Sequence, residues 1–192
     1  MNYTGHFFGF IFNMVKALIL DRDGVINTDV GYLHQIHETE FITGIFDLCR
    51  FFQDRGFIIV IITNQSGIGR GYFTEENFQK FNNWMIEEFN KRKIKIMEVF
   101  YCPHLPSDNC ICRKPKPGMF NDAIRKYNID VNKSWAIGDK DRDLEAANNS
   151  GITNTILFDN EKFKNKNNSS STIAKFRTNS LNKICKIYDN IQ

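Results

Sequence analysis

Residues 15–29 read VKALILDRDGVINTD, and this stretch decides the fold. VKALIL at 15–20 is an almost unbroken apolar run of strand length. It passes directly into DRDG, so Asp21 and Asp23 stand together at the carboxyl end of a strand, where Gly24 lets the chain turn sharply. Further runs of the same kind follow: FIIVIIT at 57–63, IMEVFY at 96–101, SWAIGD at 134–139 and TNTILF at 153–158. Continuous rather than alternating apolarity fits parallel strands covered on both faces. Between the runs, GIFDLCRFFQDRG, TEENFQKFNNWMIEEFNKRK, PGMFNDAIRKYN and DRDLEAANNSG carry apolar residues at helical spacing. Thr74 is placed to cap a helix with Asn77 at its third position, and Gly56 and Gly151 are placed to stop helices. Strand and helix alternating in this way predict an α/β chain with a doubly wound parallel sheet. Ligands of such sheets sit beyond the carboxyl ends of the strands.

The strand ends carry the chemistry. Hydrolysis of a phosphate monoester needs accelerations approaching ~10²¹-fold, so a nucleophile, a metal and cations are expected together. Asp21 is suited to attack phosphorus and form an aspartyl-phosphate, with Asp23 as proton donor and then base. The plainer reading of this pair alone is an acidic turn after a buried strand. The second run ends in TNQSGIGRG, where the Thr63 hydroxyl and the backbone of Asn64, Gln65 and Ser66 offer a phosphate seat; Arg70 reads as a loop charge. CRKPKPG presents Lys114 to the phosphoryl oxygens. SWAIGDKDRD ends in Asp139, which would complete an oxygen-rich Mg²⁺ site with Asp21 and the Asp23 carbonyl, while Asp143 orients it.

DRDGVIN, TNQSG, the lysine of CRKPKPG and GDKDRD, in this order and each after a strand, resemble the motifs of the haloacid dehalogenase superfamily. The resemblance spans about residues 15–158. Within that superfamily the chain resembles the small capless group that contains the heptose-1,7-bisphosphate 7-phosphatases and the histidinol-phosphatase domain. It implies a Rossmann-like fold with helices on both faces and no cap. It also implies Asp21 as nucleophile, Asp23 as acid/base, Thr63 and Lys114 as phosphoryl stabilisers, and Mg²⁺ at Asp21, Asp23 and Asp139.

A second metal is legible in the residues themselves. Cys102, His104, Cys110 and Cys112 supply three thiolates and an imidazole within one short loop. That is a closed tetrahedral set with no position for water, so the expectation is structural Zn²⁺ that stiffens the loop before Arg113 and Lys114. Buried, unligated cysteines are the alternative.

The substrate is the open choice. The short metal loop looks like the histidinol-phosphatase version. DRDGVINTDVGYLHQIHETEFITGIFD and TNQSGIGRGYFT look like the heptose enzymes, whose activity would serve lipopolysaccharide or related surface-glycan synthesis. Asp29, Val30, Gly31 and Tyr32 are placed to meet sugar hydroxyls, with His34 as a surface-turn residue. Lys140 joins the substrate-binding set, and Arg113 is placed to pair with a second phosphate. A catalytically silent, zinc-stabilised binding module is the reading from another class.

Bulk properties bound these readings. The chain has 192 residues, a formal charge of +3, 18 Phe and 5 Cys. It has no basic stripe of the kind that tracks a nucleic-acid backbone. Residues 1–14 lack a basic n-region and a cleavage site, and are too short to span a bilayer. Because Met14 directly precedes VKALIL, they read as a leader from an upstream start, with residues 15–192 as a single phosphatase domain. The segment 159–180, rich in Asn, Lys and Ser, reads as a surface loop before a final helix, LNKICKIYDNIQ. The expectation is a cytoplasmic monomer acting on a small phosphorylated sugar, with no nucleic acid and no membrane.

Overall fold

A computed structural model describes residues 13–159 and 173–191. The leader expected over residues 1–14 therefore lies outside the described residues except for its last two. Each expected strand forms: β1 (Lys16–Leu20), β2 (Phe57–Asn64), β3 (Ile96–Cys102), β4 (Trp135–Gly138) and β5 (Asn154–Phe158). A further strand, β6 (Phe176–Thr178), pairs in parallel with Ile156 to Phe158 of β5. It corrects the expectation of a loop over residues 159–180 at 176–178, while residues 160–172 of that loop lie outside the described residues. FRT is too short to show a pattern of its own, and it is held by contact, Phe176 stacking on Trp135 with ring centroids 5.8 Å apart.

Successive side chains of a strand point to opposite faces, which makes the core double. A short helix, α2 (Ser66–Gly69), follows β2; Leu18 and Leu20 of β1 pack with α1 (Ile45–Asp54), α3 (Glu75–Asn90) and α6 (Leu181–Asp189), through Leu48, Phe52, Phe81, Met85, Phe89 and Ile184. Ala17 and Ile19 face the other layer, where α4 (Gly118–Tyr127) and α5 (Asp141–Asn149) bring Met119, Phe120, Ala123, Ala146 and Ala147. Full burial of a Leu or Ile side chain contributes about 1.5–3 kcal/mol, so the unbroken apolar runs are stabilised on both faces. Thr74 caps α3 as expected, its Oγ1 accepting from the Asn77 amide at 3.1 Å while Asn77 Oδ1 accepts from the Thr74 amide at 3.2 Å. Gly56 and Gly151 follow α1 and α5 at φ 80° and 93°, the left-handed conformation that ends helices on glycine.

The sheet is wholly parallel in the order β3-β2-β1-β4-β5-β6. This is the doubly wound order, and its direction reverses between β1 and β4, where a crevice opens at the carboxyl ends. Asp21 leaves β1 and Asp139 leaves β4, so the two stand on either side of that crevice. Residues 21–44 form a loop with a single 3-10 turn at Ile36–Glu38 and no cap domain. Among the described residues, no helix is long and apolar enough to cross a membrane.

Candidate active site

The Asp21 amide continues the sheet by donating to Ile137 O at 3.0 Å, which fixes the carboxylate at the crevice. Lys114 arrives from the loop before α4, its side chain almost wholly buried. Its Nζ donates to Asp21 Oδ1 at 2.8 Å and to Ile62 O at 2.7 Å, and lies 2.8 Å from Asp143 Oδ1. Burial pushes the Asp21 carboxyl up to about 6; Lys114 opposes the rise and Asp143 adds to it. Burial also pushes Asp139 well above the usual carboxylate range, helped by Asp21 and Asp143. On Lys114 burial acts downward, but Asp143 and Asp21 outweigh it and raise the ammonium. On Asp143 burial acts upward, but Lys114 outweighs it and holds the carboxyl low.

This crowding fits a divalent cation. Asp21, Asp139 and Asp143 each offer an oxygen, and the three oxygens lie within 4.8 Å of one another. Asp139 Oδ1 is buried and has no hydrogen-bond partner among the described residues. Several carboxylates around one ammonium leave negative charge that a hard oxygen-seeking ion such as Mg²⁺ would neutralise. Asp143 Oδ2 also accepts from the Lys140 amide at 3.1 Å. Gly24, at φ 96°, is the residue that lets the turn close: a Cβ there would stand 2.3 Å from Asp139 Oδ2.

Asp23 is gripped from several sides. Its Oδ1 accepts from Arg22 Nε at 3.0 Å and Asn27 Nδ2 at 2.9 Å; its Oδ2 accepts from Arg22 Nη2 at 2.9 Å and Gln65 Nε2 at 2.8 Å. Arg22 is fully buried, donates to Leu33 O at 2.9 Å and lies over the Phe81 ring at 4.9 Å. Reading the sequence did not single out Arg22, because an arginine between two aspartates in a turn looks like solvated charge. Gln65, its backbone expected at the phosphate seat, turns its side-chain amide inward, donating also to Thr63 Oγ1 at 2.9 Å. Asn64 exchanges a pair of 3.1 Å hydrogen bonds with the main chain of Lys114 and so sets where that lysine starts.

Above these groups lies a cleft of about 330 Å³, in the size range of a small-molecule site. Asp21, Asp23, Thr63, Asn64, Gln65, Ser66, Arg113 and Lys114 line it, joined by Asp29, Gly31, Tyr32 and Lys140 of the expected substrate set. Val30 does not line it and is about half exposed. Arg70, read as a loop charge, does line it, as does Arg142, which the sequence reading did not weigh. Lys140 Nζ reaches Asp29 Oδ2 at 2.7 Å. Burial alone would raise Asp29, but its hydrogen bond to Lys140 outweighs this and lowers it. Tyr32 adopts φ 49° and meets the Tyr72 ring edge to face at 4.7 Å. His34 turns away and stacks on Phe73.

Beside Arg113, the four residues of the second cluster converge. Cys112 Sγ lies 3.3 Å from Cys102 Sγ, 3.4 Å from Cys110 Sγ and 3.2 Å from His104 Nδ1. Cys102 Sγ lies 3.6 Å from Cys110 Sγ and 3.5 Å from His104 Nδ1. No pair is disulfide-bonded. A tetrahedron of ligands at about 2.3 Å from a central ion has edges of roughly 3.8 Å, close to the spacings seen. Arg113 Nη1 donates to His104 O at 3.3 Å, which ties the cluster to the cleft wall.

The family model described as "HAD-hyrolase-like" matches residues 111–182. A D-glycero-alpha-D-manno-heptose-1,7-bisphosphate 7-phosphatase of Campylobacter jejuni is 48% identical over 147 residues, covering 77% of this chain and 84% of the relative. A D-glycero-beta-D-manno-heptose-1,7-bisphosphate 7-phosphatase of Haemophilus ducreyi is 44% identical over 149 residues, covering 74% and 82%. Among solved structures, the D,D-heptose 1,7-bisphosphate phosphatase of B. bronchiseptica, complexed with magnesium and phosphate, superposes with a TM-score of 0.81 at 29% identity, covering 93% of this chain and 100% of that one. With its parallel sheet, its carboxylates at the switch point and these relatives, the chain belongs to the haloacid-dehalogenase-like hydrolases, in the family of the heptose-1,7-bisphosphate 7-phosphatases.

Proposed function

We propose that this chain is a Mg²⁺-dependent phosphatase that removes the 7-phosphate of D-glycero-D-manno-heptose 1,7-bisphosphate and leaves the 1-phosphate. The observation that carries the reading is the buried contact of Lys114 with Asp21 and Asp143 beside the unpartnered oxygen of Asp139. Asp21, Asp139 and the Asp23 carbonyl would hold Mg²⁺, whose charge offsets that of the phosphoryl oxygens. A carboxylate oxygen of Asp21 attacks phosphorus, the bond from phosphorus to the sugar oxygen breaks, and Asp23 gives its proton to that oxygen. Asp23, now a carboxylate, takes a proton from water as the water oxygen attacks phosphorus. Asp21 leaves, and inorganic phosphate departs. Lys114 and Thr63 stabilise the charge that builds on the transferring group. Arg22, Asn27 and Gln65 hold Asp23 in position throughout.

Asp29, Gly31, Tyr32, Ser66 and Lys140 form the sugar-facing wall, and Arg113 takes the second phosphate. Zn²⁺ held by Cys102, His104, Cys110 and Cys112 stiffens the segment that delivers Arg113 and Lys114. The five free cysteines suit a reducing, cytoplasmic compartment. Residues 15–192 act as one domain. Phosphate release from the heptose bisphosphate and from histidinol phosphate, each with Mg²⁺ and with chelator, tests the reading. Mg²⁺-dependent turnover with the heptose strongly preferred supports it; faster release from histidinol phosphate overturns the substrate.

A further inference from the structure

Among the described residues, five cationic side chains line the cleft: Arg70, Arg113, Lys114, Lys140 and Arg142. Three have partners within the protein. Lys114 is bound to Asp21 and Ile62, Lys140 to Asp29, and Arg113 reaches His104 O. Arg70 is exposed on its loop. Arg142 differs from all of these. It stands in the first turn of α5, between Asp141 and Asp143, and its charge is felt by Asp29 and Asp143, yet among the described residues it makes no hydrogen bond or contact ion pair, and its Nε is buried without an acceptor. A buried donor left unpaired is unfavourable, and such donors in native proteins nearly always find an acceptor in protein, water or ligand.

The geometry points to Arg142 as a specificity-determining residue that reads the phosphate the enzyme does not remove. This rests on the heptose bisphosphate reading above. Lys114 and a cation that Asp21 and Asp139 would hold already serve the transferred phosphoryl group, whereas Arg142 lines the cleft with Lys140 and Asp29, close enough for its charge to act on Asp29. A guanidinium presents paired N–H donors that match two oxygens of one phosphate. An anionic end of the substrate in the cleft would give this guanidinium the partner it otherwise lacks. Arg142 therefore adds a second guanidinium to Arg113 for a substrate that carries two phosphates, and a substrate with one phosphate would not engage it.

The test compares kcat/KM for heptose 1,7-bisphosphate with kcat/KM for heptose 7-phosphate, in the parent enzyme, Arg142→Gln and Arg142→Lys. The parent should prefer the bisphosphate. In Arg142→Gln that preference should fall roughly tenfold to a hundredfold through KM, the loss expected of charge-assisted hydrogen bonds, and Arg142→Lys should recover part of it. A parent preference that survives intact in Arg142→Gln, or an equal loss for both substrates, overturns the role of Arg142 alone. A parent without any preference for the bisphosphate overturns the substrate reading and this inference with it.

Discussion

Lys114 Nζ lies 2.8 Å from Asp21 Oδ1, although 93 positions separate the two residues in the chain. Asp21 follows the first strand and Lys114 precedes α4, so the contact exists only once the sheet has assembled. Asn64 holds the Lys114 backbone and Ile62 O holds its ammonium, both from β2, next to the strand that delivers Asp21. Replacing Lys114 with Met should lower kcat by about 10²- to 10³-fold, the scale of losing one preorganised charge at a transition state. In chelator, the same variant should lose about 3–5 kcal/mol of stability, because breaking one side of a buried ion pair strands the other. Steady-state kinetics and urea unfolding check the two effects separately.

Gly24 and Asp139 are coupled by contact. A Cβ at position 24 would stand 2.3 Å from Asp139 Oδ2, on a backbone at φ 96° that side chains rarely adopt. Gly24→Ala should therefore displace Asp139, the proposed magnesium ligand, and raise the Mg²⁺ concentration needed for half-maximal activity at least roughly tenfold, about 1.4 kcal/mol of binding. A Mg²⁺ titration of activity is the check, and an unchanged midpoint would separate Asp139 from the metal.

The raised carboxyl of Asp21 gives a pH dependence with a definite sign. Its ordinary value is 3.8 and its folded value about 6. Between these, the folded protein holds a proton that the unfolded chain has released. In metal-free protein the resulting stabilisation is complete below the unfolded value and is lost as pH rises through the folded one. Asp139 is shifted in the same direction. For Asp21 alone this amounts to about 3 kcal/mol, and bound Mg²⁺ would take the place of the protons. The rise in Tm caused by Mg²⁺ should thus be several degrees larger near about pH 7.5 than near about pH 5. Thermal melts with and without Mg²⁺ at both pH values check it, and an equal or reversed shift would count against a metal on these carboxylates.

Cys112 touches all three other members of its cluster and directly precedes Arg113 and Lys114. Cys112→Ser should abolish zinc binding at the proposed site, lower Tm and reduce kcat/KM together, since the loop that the metal would stiffen delivers Arg113 and Lys114. Metal analysis of protein purified without chelator should give about one zinc per chain in the parent, as a single closed four-ligand site requires. A parent free of zinc, with full stability, would leave the cluster as plain thiols.

The features legible in the sequence were those written in adjacent residues. An apolar run ending in Asp-x-Asp-Gly shows a strand and its turn at once, and the capping of α3 by Thr74 needs only Asn77 three residues on. What escaped was set by distant contact. Phe176 becomes a strand residue because Trp135 covers it, Arg22 is buried because Phe81 and Leu33 close over it, and Gln65 turns inward because Asp23 is there to accept. Val30 failed to reach the cleft because its loop turns at Gly31 and Tyr32, both in left-handed conformation. No local pattern announces these partners.

The most direct test of the account is the kcat of Asp21→Asn toward heptose 1,7-bisphosphate at saturating Mg²⁺, measured on protein whose circular dichroism matches the parent. An amide in place of the carboxylate preserves shape but is a far poorer nucleophile. A kcat reduced by about 10³-fold or more is the predicted result, in line with losing a covalent catalyst. A kcat within about tenfold of the parent, a difference of only ~1.4 kcal/mol in the barrier, would contradict an aspartyl-phosphate at Asp21.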